Sequence, residues 1–339
     1  MKVLIVGDQH FRLELPYSAA FKDGRRGEWE KVLKTIHKTA KDCEAVVLMG
    51  DNMNTRVNHP TVIRQFIGFL KGFGEKDVHI LVGNHERYGE STALDFLEKI
   101  DFPTWHVYTE IKNDVDLCGK KATFAPYLTP AMVEAEDEES GSHEALTRLT
   151  GGDLLFAHQG TTGAKTSGTI VDLFKEIVFS KAALEKKYER IFTGHIHTSQ
   201  RLSDKTLLTG SIQTMEVGEH GKSVWVLDTK NMSVEEVPLP VRGIYHFENP
   251  DIENMKAPPK DSIVKVTITK KEIDVEDVRK WLKKFDAGIV VEKYPKEREK
   301  VHFEEGALDL SIDNLLKVFA ETRGVEYNEL KDALRLLDS

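Results

Sequence analysis

The segment "TGHIHTSQ" at residues 193–200 places His195 and His197 on either side of one isoleucine, directly after a glycine. Residues two apart point about 200° from each other on a helix, but to one side of an extended chain. The preceding "RIF" (190–192) reads as a short apolar strand, so both imidazoles could face one target, and such a pair points to a metal. Alone it is weak evidence, because His-x-His occurs on surfaces by chance. Repetition gives it weight. Short apolar runs end again and again in a small residue followed by a group able to bind a cation. "VLIVGDQH" ends at Asp8 and His10, "AVVLMGDN" at Asp51, "HILVGNHE" at Asn84 and His85, "DLLFAHQ" at His158 and "RIFTGHIH" at His195 and His197. Asp8, His10, Asp51, Asn84, His158, His195 and His197 offer oxygen and nitrogen donors without a thiolate, and His85 stands beside them.

That donor set fits two cations sharing one carboxylate. Mixed nitrogen and oxygen ligation without sulfur favours Mn²⁺, with Fe or Mg²⁺ as alternatives, the last preferring an all-oxygen site. A pair of such ions clamps the attacking and leaving oxygens of a phosphoryl transfer and acidifies a shared water. The glycines before Asp8, Asp51, Asn84 and His195 also fit tight turns from strand to loop. The other histidines, His37, His59, His79, His106, His143, His220, His246 and His302, are read as ordinary surface or core residues.

The positioning elements follow from periodicity. Continuous apolar runs of this length fit strands covered on both faces. Between the early runs, "EWEKVLKTIHKTA" (28–40) and "HPTVIRQFIGFLKGF" (59–73) repeat apolar residues at helical spacing. Strands alternating with helices imply an α/β protein with parallel crossovers, whose sites lie beyond the carboxyl ends of the strands. Every ligand-bearing segment falls at such an end. Residues 112–151 are less regular, and "EAEDEESGSHE" (134–144) reads as an exposed acidic loop. "SVWVLDT" (223–229) reads as a late strand, the composition changes near "PLPVRG" (238–243), and "NMKAPPKD" (254–261) reads as a connector. A small βαβ unit follows, with strands at 262–269 and 288–294 and a helix at 274–285 capped by Asp274. Apolar stripes predict two short tail helices, one carrying Ile312, Leu315, Leu316 and Phe319, the other Leu330, Ala333, Leu334 and Leu337. The expected domains are 1–243, 244–303 and 304–339.

Of the 339 residues, 40% are hydrophobic and 30% charged, as in soluble globular proteins. No run reaches the roughly 18 apolar residues of a bilayer span, and "MKVLIVGD" reads as a first strand rather than a signal peptide. No membrane association is expected. Cys43 and Cys118 alone exclude a disulfide framework or a cysteine zinc cluster, and a reducing cytoplasm is expected. The net charge of −9 argues against unaided nucleic-acid binding. Basic groups such as Arg25, Arg26, Lys280, Lys283 and Lys284 are interleaved with acids.

In this order, "GDQH", "GDN", "GNHE", "AHQ" and "GHIH" resemble the calcineurin-like metallophosphoesterases over roughly residues 1–230. The resemblance implies a sandwich of two mixed sheets flanked by helices, with a dinuclear divalent metal centre, here followed by the small βαβ capping domain and C-terminal helices. One ion would take Asp8, His10 and His197, the other Asn84, His158 and His195, with Asp51 bridging. His85 matches the family histidine that protonates the leaving oxygen or stabilises the transition state. Within the superfamily the chain looks most like the nuclease subunits of the SbcCD type and their phage counterparts, "TGSIQTMEVGE" (209–219) resembling their "GS…GE" segment. That branch implies exonuclease action on duplex DNA ends and endonuclease action on single strands, in repair, recombination or replication. Its partner is a coiled-coil ATPase bound through the C-terminal helices, and the nuclease is a homodimer within a heterotetramer. Asn54 departs from the histidine that many family nucleases carry there, and "AHQ" has alanine where glycine is frequent. A phosphomonoesterase or cyclic-nucleotide phosphodiesterase is the alternative, and a non-catalytic DNA-end-binding scaffold the third. "GDNMNTR" lacks the "GD-x-V-D-R-G" signature of the superfamily's protein phosphatases.

Overall fold

A computed structural model of the chain describes residues 1–89, 91–100, 102–165, 176–285 and 287–292. The chain divides into two units, Met1–Tyr294 and Pro295–Ser339, and every element below belongs to the first. The expected tail helices lie outside the described residues, as does His302.

The first part alternates as its periodicity predicts, with β1 (Lys2–Val6), α1 (Arg26–Ala40), β2 (Ala45–Leu48), α2 (Pro60–Lys71) and β3 (Asp77–Leu81), and β4 (Trp105–Tyr108), a strand not expected from sequence, follows. Then come β5 (Lys112–Leu117), β6 (Lys120–Ala125), α3 (Glu138–Arg148), β7 (Gly152–Ala157), α4 (Lys181–Lys187), β8 (Tyr188–Thr193), β9 (Gln200–Arg201), β10 (Thr206–Leu208), β11 (Ser223–Asp228) and β12 (Ser233–Pro238). One six-stranded sheet has the order β12-β11-β1-β2-β3-β4 and the other β9-β10-β8-β7-β6-β5. β1 to β4 are mutually parallel, as are β6, β7, β8 and β10, while β5, β9, β11 and β12 join antiparallel.

The continuous apolar runs are explained by burial on both faces. In β1, Val3 and Ile5 point at the second sheet and pack with Phe124, Leu154, Phe156 and Phe192. Leu4 and Val6 point the other way, against Val32 and Ile36 of α1 and Phe66, Phe69 and Leu70 of α2. The outer face of the second sheet, with Leu155, Ala157 and Ile191, is covered by Ala145 of α3 and Leu184 of α4. The result is the expected sandwich of two mixed sheets flanked by helices. Among the described residues no helix is long and apolar enough to cross a membrane.

Two expectations are corrected. Residues 112–151 hold the β5–β6 hairpin and α3, and the acidic stretch read as a loop supplies the start of that helix. Asp137 caps α3 by accepting from the Ser140 amide, and the Ser140 hydroxyl returns the contact to the Asp137 backbone. The helix buries only Gly141 and Ala145, too narrow a stripe to produce an apolar period. His143 within it is exposed.

After β12, a separate three-stranded sheet runs β13 (Ile244–Glu248), β14 (Ile263–Ile268) and β15 (Ala287–Glu292), all parallel. Helix α5 (Val275–Leu282) connects β14 to β15 and packs Val278, Trp281 and Leu282 on it, while Asp274 accepts from the amides of Glu276 and Asp277. Strand β13 adds to the two strands expected from sequence.

One buried histidine gives the sandwich a pH dependence. His79 on β3 is 5% exposed, stacks on Phe124 at 4.9 Å and contacts the Tyr108 hydroxyl through Nδ1 at 2.7 Å. Burial, helped by neighbouring His106, lowers its pKa to about 4. The unfolded chain therefore takes up this proton near pH 6.5 while the folded chain does so only near pH 4, so stability falls across that window as the solution is acidified. The expected loss is at most about 3 kcal/mol. Urea unfolding of His79→Phe should show a correspondingly flatter profile between those pH values; an unchanged slope would assign the acid sensitivity elsewhere.

Candidate dinuclear metal centre

The ligand-bearing segments leave the carboxyl ends of β1, β2, β3, β7 and β8, and the sandwich brings those ends together. Asp8, His10, Asp51 and His158 are almost wholly buried. Three sets of side chains each gather their donor atoms within 4.8 Å: Asp8, His10 and His197; Asp51, His158 and His195; and His10, Asp51 and His85. Asn84 joins the second set, its Oδ1 lying 3.1 Å from His158 Nε2 and 3.0 Å from His195 Nδ1. Asp51 sits between the sets, with Oδ2 3.7 Å from His10 Nε2 and Oδ1 3.4 Å from His158 Nε2.

His195 and His197 do not lie on an extended strand facing one target. β8 ends at Thr193, and His195 adopts a left-handed φ of 78°. The turn sends the His197 ring towards Asp8 and His10 and the His195 ring towards Asp51 and His158. His10 (φ 48°) and Asp51 (φ 47°) share this sparsely populated backbone region. Strained positions of this kind persist where surrounding structure holds them, often at functional sites. Two glycines have a steric reason beyond turning. A Cβ at Gly83 would fall on the Asp51 carboxylate and backbone nitrogen, and one at Gly50 on the His158 ring.

The electrostatics call for positive charge. Burial pushes the Asp8 carboxyl up, despite the opposing pull of His158. At Asp51 burial also pushes upward, but His158, His10 and His85 outweigh it and hold the carboxyl below its usual range. Burial favours a neutral His158, yet Asp51 and Asp8 overcome it and raise that pKa to about 10. Burial leaves His10 well below the ordinary histidine value. Asp8 Oδ2 is buried without a hydrogen-bond partner, and His10 Nε2 and His197 Nε2 face each other at 3.0 Å. An orphaned carboxylate oxygen and two converging imidazole nitrogens fit a divalent cation.

His85 occupies the open side, its side chain 39% exposed and its Nε2 3.9 Å from Asp51 Oδ2. Its amide donates to Asp51 Oδ1 at 2.9 Å, and its Nδ1 lies 2.8 Å from the Asn54 carbonyl oxygen. A carbonyl only accepts, so Nδ1 carries a proton and Nε2 is the nitrogen that exchanges one. This orientation uses the Asn54 backbone, independent of which side chain stands there. The Asn54 side chain instead accepts from Arg12 Nη2. Burial lowers the Arg12 pKa to about 10, and its Nε is buried without a partner.

Sequence reasoning assigned no role to three carboxylates around the centre. Glu176 contacts His195 Nε2 at 3.1 Å, and Glu219 lies behind His197. Glu86, the last residue of "GNHE", accepts from the amides of Met53 at 2.6 Å and Gly83 at 2.7 Å. It thereby ties the loop after β2 to the loop after β3. Burial, reinforced by Asp51, raises its pKa to about 7. Glu86→Ala leaves two buried amides unpaired, at about 1–3 kcal/mol each. Urea unfolding of the metal-free variant should show a loss of about 2–6 kcal/mol by the same reckoning; parent-like stability would mean the loops do not depend on it.

With the fold and this geometry in place, the chain belongs to the calcineurin-like phosphoesterase family, whose model matches residues 1–199, more than half of the 339. Members of the family hydrolyse phosphoesters with a dinuclear divalent centre. No curated protein matches the chain at a significant level. Among solved structures, a protein described as a novel archaeal phosphodiesterase is 13% identical, with a TM-score of 0.35, over 70% of this chain and 100% of its own. A protein from Thermus thermophilus is 14% identical, with a TM-score of 0.40, over 70% of this chain and 98% of its own. A single mutant of Vps29 from Entamoeba histolytica is 13% identical, with a TM-score of 0.32, over 70% and 99%. Similarity at this level carries no information on substrate.

Proposed function

We propose that the chain is a metal-dependent DNA phosphodiesterase, the nuclease subunit of an SbcCD-type assembly. The observation that carries this reading is the convergence of Asp8, His10, Asn84, His158, His195 and His197 around Asp51, with His85 on the open side. Asp8, His10 and His197 would hold one divalent ion and Asn84, His158 and His195 the other, with Asp51 between them as the shared ligand. Bound ions supply Lewis-acid polarisation of the phosphoryl oxygens and a water acidic enough to act as nucleophile near neutral pH. The rest falls to the chain. Asn54 and Asp51 orient His85 through its Nδ1 and amide, so that Nε2 faces the reacting phosphoester and can give its proton to the departing oxygen. Arg12, braced by Asn54, adds a positive charge near His10 that favours an anionic substrate.

The choice of DNA is supported by the ordered motif set and by the β13–β15 unit that follows the sandwich. The proposed partner is a coiled-coil ATPase docked on residues 304–339, with the nuclease dimeric in the complex. A net charge of −9 without a concentrated basic stripe fits a subunit whose partner supplies most of the DNA-binding surface.

The test is cleavage of end-labelled duplex DNA with Mn²⁺, beside a small phosphomonoester, with and without a candidate ATPase. Shortened duplex with an untouched monoester is expected. Turnover of the monoester with intact DNA in both arms would replace the nuclease by a phosphomonoesterase. In the same series the isolated chain should bind DNA weakly with a shallow salt dependence; tight binding with a steep slope would remove the need for a partner's surface.

A further inference from the structure

His197 is gripped from behind by a buried ion pair. Glu219 and Lys222 are 2% and 3% exposed and meet at 2.9 Å through Glu219 Oε2. That oxygen also accepts from the Met215 amide at 2.8 Å. Lys222 Nζ donates to the His197 carbonyl oxygen and to Ser211 Oγ, each at 2.8 Å, so its three protons are all engaged. The other carboxylate oxygen, Glu219 Oε1, has no hydrogen-bond partner among the described residues and lies within ion-pair distance of His197 Nδ1, 3.4 Å away. Lysine thus holds the backbone of His197 and glutamate faces its ring.

We propose that Glu219, held in place by Lys222, is a positioning residue that fixes the tautomer of His197 and thereby sets the affinity of one of the two cation positions, resting on the dinuclear reading above. A carboxylate paired with a buried ammonium only accepts, so the ring nitrogen facing it carries the proton. His197 Nε2 is then left with its lone pair directed at the point shared with His10 Nε2 and Asp8. Partners on the far nitrogen of a metal-binding histidine fix its tautomer and orientation and raise its basicity. Stability alone is a weak reason for this arrangement, because buried ion pairs are often replaceable by apolar residues at no cost. Glu219 is not itself placed as a ligand, since Lys222 and the Met215 amide occupy the oxygen not facing the ring.

The experiment pairs Glu219→Gln with Glu219→Asp. A glutamine can turn its amide N–H toward Nδ1 and move the ring proton to Nε2; an aspartate keeps an acceptor there. Ring ¹⁵N NMR of the metal-free proteins, recorded at alkaline pH where the ring is neutral, should read His197 as the Nδ1–H tautomer in the parent and in Glu219→Asp, and as Nε2–H in Glu219→Gln. Mn²⁺ titration calorimetry of the full chain should show one of two ions weakened about 10–100-fold in Glu219→Gln, the other unchanged, and a smaller loss in Glu219→Asp. An unchanged tautomer in Glu219→Gln, or equal losses in the two variants, would overturn the proposal and leave a purely structural clamp. A parent that binds fewer than two Mn²⁺ would refute the dinuclear reading instead, and the tautomer measurement would still decide the role of Glu219. Should Glu219→Gln fail to fold, an Nε2–H ring in Glu219→Asp is the overturning result and an Nδ1–H ring the supporting one.

Discussion

Replacing His85 by alanine is expected to leave both Mn²⁺ ions bound and to slow phosphodiester cleavage by about 10²–10⁴-fold, the range for loss of a general acid. The expectation follows from the ring's place at the rim. Its Nε2 lies 3.9 Å from Asp51, while its other nitrogen is held by the Asn54 carbonyl, so the ring faces the substrate side of the cluster. Titration calorimetry paired with a cleavage assay separates the two effects. Parent-like cleavage would remove the role given to His85, and loss of a bound ion would make it a ligand instead.

Asp51→Asn is expected to be the most damaging single change to metal binding. Both oxygens of Asp51 lie between the histidine sets, and one also accepts from the His85 amide. The amide loses the shared negative charge and turns one acceptor into a donor. Because partners outside the ligand shell are already worth about 10–100-fold in affinity, loss of the bridging ligand should exceed about 100-fold and affect both ions. Atomic absorption after dialysis against trace Mn²⁺ gives the stoichiometry; two retained ions would mean that Asp51 does not bridge.

The candidate site was legible because its parts share one local grammar. Asp8, Asp51, Asn84, His158 and His195 each follow an apolar run closed by a small residue, and parallel strands carry such positions to one edge. The β-α alternation up to Leu81 was legible for the same reason, since its strands and helices bury wide apolar faces. Where burial is narrow the signal faded. Helix α3 covers little more than Gly141 and Ala145, and β12 is never fully buried along its length.

The relations that depend on distant chain segments were not legible at all. Glu86 bonds Met53 across the loops, Glu176 meets His195, and Glu219 closes on His197 only after the chain has passed through β9 and β10. Glu86 and Glu219 end the quoted "GNHE" and "GS…GE" segments, but neither segment names the partner its glutamate meets, and Glu176 stands in no motif at all. The positive φ at His195 was hidden too, because residue type alone does not report a left-handed backbone outside glycine, and it is this turn that parts the two "GHIH" rings. Asn54 is a mixed case. The sequence marks its side chain as a departure from the family's histidine, and the fold adds a contact that residue type does not report, its backbone carbonyl 2.8 Å from His85 Nδ1.

The most direct test is anomalous diffraction from crystals of the protein soaked in Mn²⁺. Two peaks a few ångströms apart on either side of the Asp51 carboxylate are expected, one against Asp8, His10 and His197 and the other against Asn84, His158 and His195. A single peak, or none beside Asp51, would contradict the two-cation centre.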